Sequence, residues 1–272
     1  TPTPVAAVTP ARVDDRGAKA DPADHSYVYK NIDGRDLRLW VRQPADARRG
    51  DRRPAVVFFH GGGWVGGPLF QFKDHCAHFA RRGLVAVQVE YRFAAKQQTD
   101  APPLVCIQDA RSAMRWVRAH AEELGIDPTR IAAGGGSAGG HLAAFASMVE
   151  GGDDPADDRT VSPRGNAQLL FNPMFDNGPG GYAHARMGAA WKQYSPIDHI
   201  SADDPPALVF IGSQDALVSL PTVERFVEGM RKAGVRCEAR TYEGREHGFF
   251  NREPDKAHTL AECDRSEERR VG

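Results

Sequence analysis

The chain has 272 residues, enough for one large α/β domain that buries about 75% of the surface of its unfolded form. It carries 35 basic and 36 acidic residues, and the resulting net charge of -1 argues against a nucleic acid or an anionic membrane as partner. Its apolar runs are far shorter than the ~20 residues that a membrane-spanning helix needs.

The first 23 residues are rich in Pro, Ala, Thr and charged side chains and show no apolar period, which predicts a flexible leader or linker. The sequence begins without Met, which indicates a removed segment such as a signal peptide. We therefore expect a secreted or periplasmic protein, with a cytoplasmic location as the alternative.

Residues 26–42 alternate like a β-hairpin that turns at Asp33-Gly34. Beyond it, apolar strands alternate with helical patterns, which is typical of a mostly parallel sheet flanked by helices. Strands are predicted at 55–59, 85–90, 130–133, 167–172 and 207–212, and helices at 104–121 and 223–233. Residues 24–262 are expected to form one catalytic α/β domain.

The strand at 55–59 runs into His-Gly-Gly-Gly-Trp at residues 60–64. Glycines let the backbone approach a substrate with its N–H groups directed into the site, and this loop is the oxyanion-hole partner of a serine nucleophile in lipases and esterases. No Lys-Ser/Thr follows, which argues against a phosphate-binding loop. We predict the N–H groups of Gly62, Gly63 and Ala138 as the donors. Whether Gly61 or Trp64 replaces one of them stays open, and His60 is expected to brace the loop.

Residues 74–78 contain two histidines, His75 and His78, but histidines three positions apart on an amphipathic helix are expected to face solvent rather than bind a metal. No metal or other cofactor is predicted. The four cysteines lack metal or redox spacing, so free thiols are expected, and a disulfide stays an alternative for Cys76, Cys106, Cys237 and Cys263.

Residues 135–139 read Gly-Gly-Ser-Ala-Gly, a G-x-S-x-G pattern between an apolar strand and a small-residue helical segment. Strand, sharp turn and helix form the context of a nucleophile elbow, and a plain strand-to-helix connection is the alternative. The turn strains the serine backbone, so its close neighbours must be small. We predict Ser137 as a nucleophile that attacks a carbonyl group, with His141 packed under the elbow.

Asp215 follows the strand at 207–212, at the end where α/β sheets place catalytic groups. A helix cap is its alternative role, and the nearby Asp198, Asp203 and Asp204 precede that strand. His247 follows a short strand and has a glycine beside it, which predicts the base. The order Ser, Asp, His is that of α/β-hydrolases.

These motifs make the chain resemble α/β-hydrolases of the hormone-sensitive-lipase-like and bacterial acetyl- or feruloyl-esterase-like group. The matching segments are residues 60–64, 90–92, 125–131, 135–140, 215 and 246–249. The resemblance implies an α/β-hydrolase fold with a mostly parallel central sheet and a short lid insertion. It also implies a serine carboxylic ester hydrolase that works without a cofactor.

Residues 175–200 lie where this fold inserts its lid, and an ordinary surface helix with packed aromatics is the alternative. If the segment is a lid, Tyr182 and Trp191 line an acyl or sugar subsite, with Trp64 and Phe249 as the other wall. Its shortness argues against a tunnel for long acyl chains.

Gly136 departs from many lipase-like relatives, which have Asp before the serine. The Gly form also appears in esterases of plant polysaccharides and in prolyl-oligopeptidase-like peptidases. We therefore expect a small-molecule or oligosaccharide ester as substrate, such as an acetyl or feruloyl ester of a carbohydrate. An amide hydrolase (a peptidase or an arylformamidase) and a non-catalytic binding protein on the same fold are the alternatives.

Residues 263–272 have little apolar surface to bury, whereas relatives normally finish with an amphipathic helix after the histidine loop. We expect a disordered or non-native tail there. The sequence leaves the oligomeric state open.

Overall fold

A computed structural model of the chain describes residues 19–95 and 101–271, with side chains up to residue 265. Residues 1–18 of the predicted leader lie outside the described residues. Within the described ranges eight strands belong to one sheet, and they are β1 His25–Ile32, β2 Arg35–Arg42, β3 Arg53–Phe59, β4 Val85–Val89, β5 Ile126–Gly136, β6 Ala167–Phe171, β7 Ala207–Gly212 and β8 Cys237–Tyr242.

The sheet has the strand order β1-β2-β4-β3-β5-β6-β7-β8. The predicted hairpin is present, because β1 and β2 pair antiparallel around Asp33 and Gly34. Both turn residues have positive φ, 49° and 80°, as a two-residue hairpin loop of the favoured twist requires. The β2–β4 pair is also antiparallel, and every pair from β4 to β8 is parallel. The predicted mostly parallel sheet is therefore confirmed.

Helices cover both faces of the sheet: α1 Lys73–Arg81, α2 Leu104–Ala119, α3 Ala138–Met148, α4 His184–Met187, α5 Trp191–Tyr194, α6 Leu220–Lys232 and α7 Asp255–Val271. Successive side chains of a strand point to opposite faces. Accordingly Val57 and Phe59 pack with α2, α3 and α6, whereas Val56 and Phe58 pack with α1 and α7. The predicted layers of an α/β-hydrolase fold are thus present, with the sheet buried between two apolar cores.

His75 lies in the core, so the prediction that it faces solvent is wrong. Its side chain is 1% exposed and lies among four aromatic rings at centroid distances of 5.0 to 6.1 Å, from Phe58, Phe72, Phe171 and Phe250. Neither ring nitrogen has a hydrogen-bond partner among the described residues. The aromatic side chains of the sheet and of the loop after β8 create this apolar site, and sequence spacing on α1 alone could not show it.

Described residues on both sides of the predicted domain, residues 24–262, contact it. Asp21 forms an ion pair with Arg42 of β2 at 3.0 Å. At the other end α7 continues to Val271, Cys263 is buried, and His78 Nε2 donates to the Asp264 carboxylate at 3.0 Å. The first three residues of the predicted tail therefore belong to a packed helix, and the non-native origin of the tail stays a prediction.

Among the described residues no helix combines the length and the apolar character that crossing a bilayer requires.

Cys76 and Cys106 are buried thiols on α1 and α2, and Cys237 is half-buried on β8. Burial raises the pKa of the Cys106 thiol to about 12, which keeps it in its neutral form.

Burial lowers the pKa of the His75 imidazole to about 3, because the charged form loses its hydration in the core. Protonation therefore costs the folded state nothing above the unfolded pKa of about 6.5, and stability is lost progressively as the pH falls from that value towards the folded pKa of about 3. We expect His75→Phe to remove roughly 2 kcal/mol of the stability difference between about pH 7.5 and pH 5. Urea unfolding at both pH values measures it.

The matched control is His258→Phe on the exposed face of α7, which should leave the pH dependence unchanged. His141 is also buried with its pKa lowered to about 4, so some acid sensitivity remains in either variant. An equal loss of stability on acidification in wild type and His75→Phe would contradict the assignment.

Candidate active site

Ser137 occupies the sharp turn between β5 and α3. Its backbone has φ 55° and ψ -120°, a strained conformation for a residue with a side chain. Neighbours must be small because the chain folds tightly here: a Cβ on Gly139 would lie 2.0 Å from the carbonyl oxygen of Phe59. The Ser137 N–H donates to Phe171 O on β6 at 2.9 Å, which fixes the turn against the sheet.

His247 reaches the serine from the loop after β8. Its Nε2 lies 2.9 Å from Ser137 Oγ, and its Nδ1 lies 2.8 Å from Asp215 Oδ2. The imidazole side chain is 22% exposed, so a small molecule can approach the hydroxyl from solvent. The three residues that the sequence analysis selected therefore lie in hydrogen-bond contact in the order Ser, His, Asp.

Asp215 is held as a buried carboxylate at the end of β7. Its Oδ1 accepts the backbone N–H groups of Leu217 and Val218 at 2.9 Å each, which leaves Oδ2 for His247. Its side chain has no exposed surface. Because a carboxylate can only accept, it orients the imidazole with Nδ1 as donor and Nε2 as the atom facing the serine.

Asn172 is an active-site neighbour that the sequence analysis missed. It follows β6 in a left-handed conformation, φ 38°, and is fully buried. Its Oδ1 accepts the N–H of Gly248 at 3.1 Å, so its amide nitrogen is turned towards His247 Nε2, 3.3 Å away. A polar residue ending a buried parallel strand was the available signal, since the strand ends carry such sites.

Residues 60–64, here called the oxyanion loop after their predicted role, follow β3, with φ values of 128° at Gly62 and 62° at Gly63. Gly61 N–H donates to Gln71 Oε1 at 2.7 Å, which removes Gly61 from the candidate donors. Within the described residues the N–H groups of Gly62 and Gly63 donate to no protein oxygen. They remain, with Ala138 at the first position of α3, the candidate oxyanion donors.

Two further histidines support the site without taking part in it. His60 stacks on Tyr91 at 4.4 Å and donates through Nδ1 to Gly61 O at 2.8 Å, while the Tyr91 hydroxyl donates to His60 O at 2.7 Å. His141 is buried below the elbow and donates through Nε2 to Tyr194 O at 2.8 Å. Both contacts place the imidazoles as braces of the loops around Ser137.

The four residues proposed as pocket walls do not lie together. Tyr182 contacts the buried Trp64 at 5.8 Å, and its hydroxyl lies 3.3 Å from the position of a Cβ on Gly63, so this pair borders the oxyanion loop. Trp191 lines a separate groove between α5 and α6. Phe249 is 7% exposed and packs on Tyr242 at 4.7 Å. Its ring therefore adds to the core rather than to an open wall.

The packing around position 136 explains why this residue is a glycine. A Cβ at this position would lie 2.6 Å from Cζ of Phe250, whose ring packs between Phe72 and Phe171. Phe250 comes three residues after His247, so a side chain at position 136 would press on the loop that carries the imidazole. Any side chain at position 136 would therefore have to displace the Phe250 ring.

The arrangement combines a hydroxyl, an adjacent imidazole oriented by a carboxylate, and backbone N–H groups at a helix start. These are the parts required to attack a carbonyl and to stabilise the oxyanion that forms. Within the described residues, no three His, Cys, Asp or Glu side chains are grouped closely enough to hold a metal ion.

Comparison with known proteins points to one family. A family model described as the α/β hydrolase fold matches residues 56–251. The chain is 28% identical over 215 residues to the probable carboxylic ester hydrolase LipM of Mycobacterium tuberculosis, covering 72% of this chain and 48% of LipM. It is 29% identical over 229 residues to the carboxylic ester hydrolase LipN of the same organism, covering 74% and 58%. The chain thus spans about half the length of the curated relatives it matches.

Solved structures give a fuller match. The apo form of Thermogutta terrifontis esterase 2 superposes with a TM-score of 0.84 at 43% identity, covering 90% of this chain and 93% of that chain. The same esterase phosphorylated by paraoxon superposes with a TM-score of 0.85 at 42% identity, covering 93% and 96%.

We expect Gly136→Ala to destabilise the protein by about 1–3 kcal/mol, because the added methyl group overpacks against Phe250. Phe250→Leu alone should also destabilise it, since it opens space in the aromatic core. In the double variant the two changes partly compensate, so the loss should be smaller than the sum of the single losses. Urea unfolding measures all four proteins, and strictly additive losses would contradict the contact.

Proposed function

The chain belongs to the α/β-hydrolase fold family, and we propose that it is a serine carboxylic ester hydrolase that works through an acyl-enzyme. The observation that carries the proposal is the continuous contact from Asp215 through His247 to Ser137, at 2.8 and 2.9 Å. A non-catalytic binding protein on this fold has no need of an aligned nucleophile, base and acid. The names of the relatives, two of them carboxylic ester hydrolases and one an esterase, support the same reaction.

Acylation begins when His247 Nε2 takes the proton of Ser137 Oγ as the oxygen attacks the ester carbonyl. The carbonyl oxygen becomes an oxyanion, for which the N–H groups of Gly62, Gly63 and Ala138 are the proposed donors. The imidazolium then protonates the leaving alcohol, and the acyl group stays on Ser137. Asp215 keeps its charge throughout and stabilises the imidazolium.

Deacylation repeats the steps with water as nucleophile. His247 takes a proton from water, the hydroxide attacks the acyl-serine carbonyl, and the proton returns to Ser137 Oγ as the carboxylic acid leaves. Both half-reactions use the same base and the same oxyanion donors.

Short acyl groups fit the surroundings of Ser137. Tyr182 packs on the buried Trp64, and its hydroxyl lies 3.3 Å from the position of a Cβ on Gly63, which limits the space next to the proposed oxyanion donors. Structures of Thermogutta terrifontis esterase 2 with propionate bound and with butyrate bound support the same size range.

A carbohydrate is the proposed alcohol part of the ester. The groove between α5 and α6 has a volume of about 590 Å³ and is lined by Trp191 together with Asp176, Asp198 and Arg225. An indole beside carboxylate and guanidinium groups offers both stacking and hydrogen bonds to a sugar ring. The proposed substrates are acetyl or feruloyl esters of an oligosaccharide whose sugar ring lies in this groove.

We expect Ser137→Ala and His247→Ala to lower kcat for p-nitrophenyl acetate by about 10⁶. Asp215→Asn should lower it by about 10⁴, since the amide turns the imidazole into the wrong tautomer. The wild type should become covalently modified by paraoxon at Ser137, seen by mass spectrometry of the peptides. Full activity in Ser137→Ala would refute the proposal.

For the acyl group, we expect kcat/KM for p-nitrophenyl acetate and butyrate to exceed that for a long-chain ester by at least about 10-fold. A long acyl chain that does not fit beside Ser137 weakens binding of the transition state.

For the alcohol part, Trp191→Ala should lower kcat/KM for acetylated oligosaccharides and leave kcat/KM for p-nitrophenyl acetate unaffected. Gln193→Ala, on the same short helix but outside the groove, is the control. Equal rates of Trp191→Ala and wild type on the oligosaccharides would remove the sugar from the proposal.

A further inference from the structure

The residue after the catalytic histidine is held on both sides of its backbone. Gly248 adopts φ 80°, and its N–H donates to Asn172 Oδ1 at 3.1 Å. Its carbonyl oxygen accepts from Asn251 Nδ2 at 2.9 Å and from the Asn251 N–H at 3.2 Å. These bonds fix the peptide planes that determine where the imidazole of His247 points.

The bond on the carbonyl side continues to the oxyanion loop. Asn251 Oδ1 accepts from Gln71 Nε2 at 3.0 Å, and Gln71 Oε1 accepts the N–H of Gly61 at 2.7 Å. Gln71 lies just before α1, and Asn251 lies 180 positions later in the chain. Two side chains thus join the loop after β3 to the loop after β8.

This path has a fixed direction. The Gly61 N–H can only donate, and the Gly248 carbonyl can only accept. Gln71 must therefore turn its oxygen to Gly61 and its nitrogen to Asn251. Asn251 must turn its oxygen to Gln71 and its nitrogen to the Gly248 carbonyl. Each amide orientation is set by the backbone groups at the two ends, so the bonds form or fail together.

We propose that Gln71 and Asn251 are positioning residues that set the distance between the oxyanion donors and the base. The role rests on the proposed ester hydrolysis, in which Gly62 and Gly63 receive the oxyanion while His247 carries the proton. Both groups must act on the same tetrahedral intermediate, and a small displacement of either raises the barrier steeply. Neither residue touches the substrate in this assignment.

The test is a double-mutant cycle with Gln71→Met, Asn251→Ala and both together, which remove the links without adding charge. We expect each single variant to lower kcat for p-nitrophenyl acetate by roughly 10-fold with KM nearly unchanged, as for lost positioning. The double variant should also lose roughly 10-fold rather than 100-fold, because the second substitution cuts a path that is already broken. Gln43→Met is the matched control, since Gln43 likewise donates to a backbone carbonyl, that of Leu124, far from Ser137.

A second readout does not depend on turnover. The low-field proton resonance of His247 Nδ1, assigned by its absence in His247→Ala, should broaden or shift in both single variants and stay unchanged in Gln43→Met. Additive losses of kcat, losses under two-fold, or lower melting temperatures with an unchanged resonance would overturn the positioning role. A wild type without esterase activity but with the expected changes of this resonance would refute the proposed function, while still showing that Gln71 and Asn251 position His247.

Discussion

The close approach of two backbones, at the start of α3 and at the end of β3, decides the geometry of the site. The backbone at Gly139 runs so near the carbonyl oxygens of Phe59 and His60 that a Cβ there would lie 2.0 and 2.5 Å from them. No side chain can separate the elbow from the oxyanion loop. The turn that carries Ser137 and the loop that carries Gly62 and Gly63 therefore lie side by side, and the strained serine conformation is maintained by contacts on β3 and β6.

Local sequence signals predicted the fold and selected the three side chains that lie in hydrogen-bond contact, because each signal joins neighbouring residues to a strand end. The elbow at 135–139, Asp215 after β7 and His247 after β8 all follow that rule, since parallel strands bring their carboxyl ends to one edge of the sheet. The hairpin was likewise predicted from two neighbouring residues, Asp33 and Gly34, which form its turn.

What the sequence did not reveal depends on contacts between distant parts of the chain. The burial of His75 arises from rings on β3, β6 and the loop after β8, and spacing along α1 carries no information about them. The sequence showed Asn172 only as the end of a strand. Its amide is oriented towards His247 by the N–H of Gly248, 76 positions later in the chain. Phe249 lies two positions after His247 in the sequence, yet the turn after the histidine directs its ring into the core.

Residues 175–200 contact the segments on either side of Ser137. His141 on the first turn of α3 donates to Tyr194 O, and Tyr182 packs on Trp64. Within the segment, Asn177 N–H donates to Ser195 Oγ at 3.0 Å and joins its two ends. The stretch thus has fixed points near both of its ends. Groove and nucleophile share these supports, so the shape of one depends on the placement of the other.

Two side-chain contacts join helix α7 to α1, Lys256 with Asp74 and Asp264 with His78. α1 begins two residues after Gln71, so the last described helix supports the oxyanion side of the site from behind the sheet. For protein engineering, this makes α7 a poor place for truncations or fused partners: loosening it would act on turnover through α1, at a distance from every residue that touches substrate.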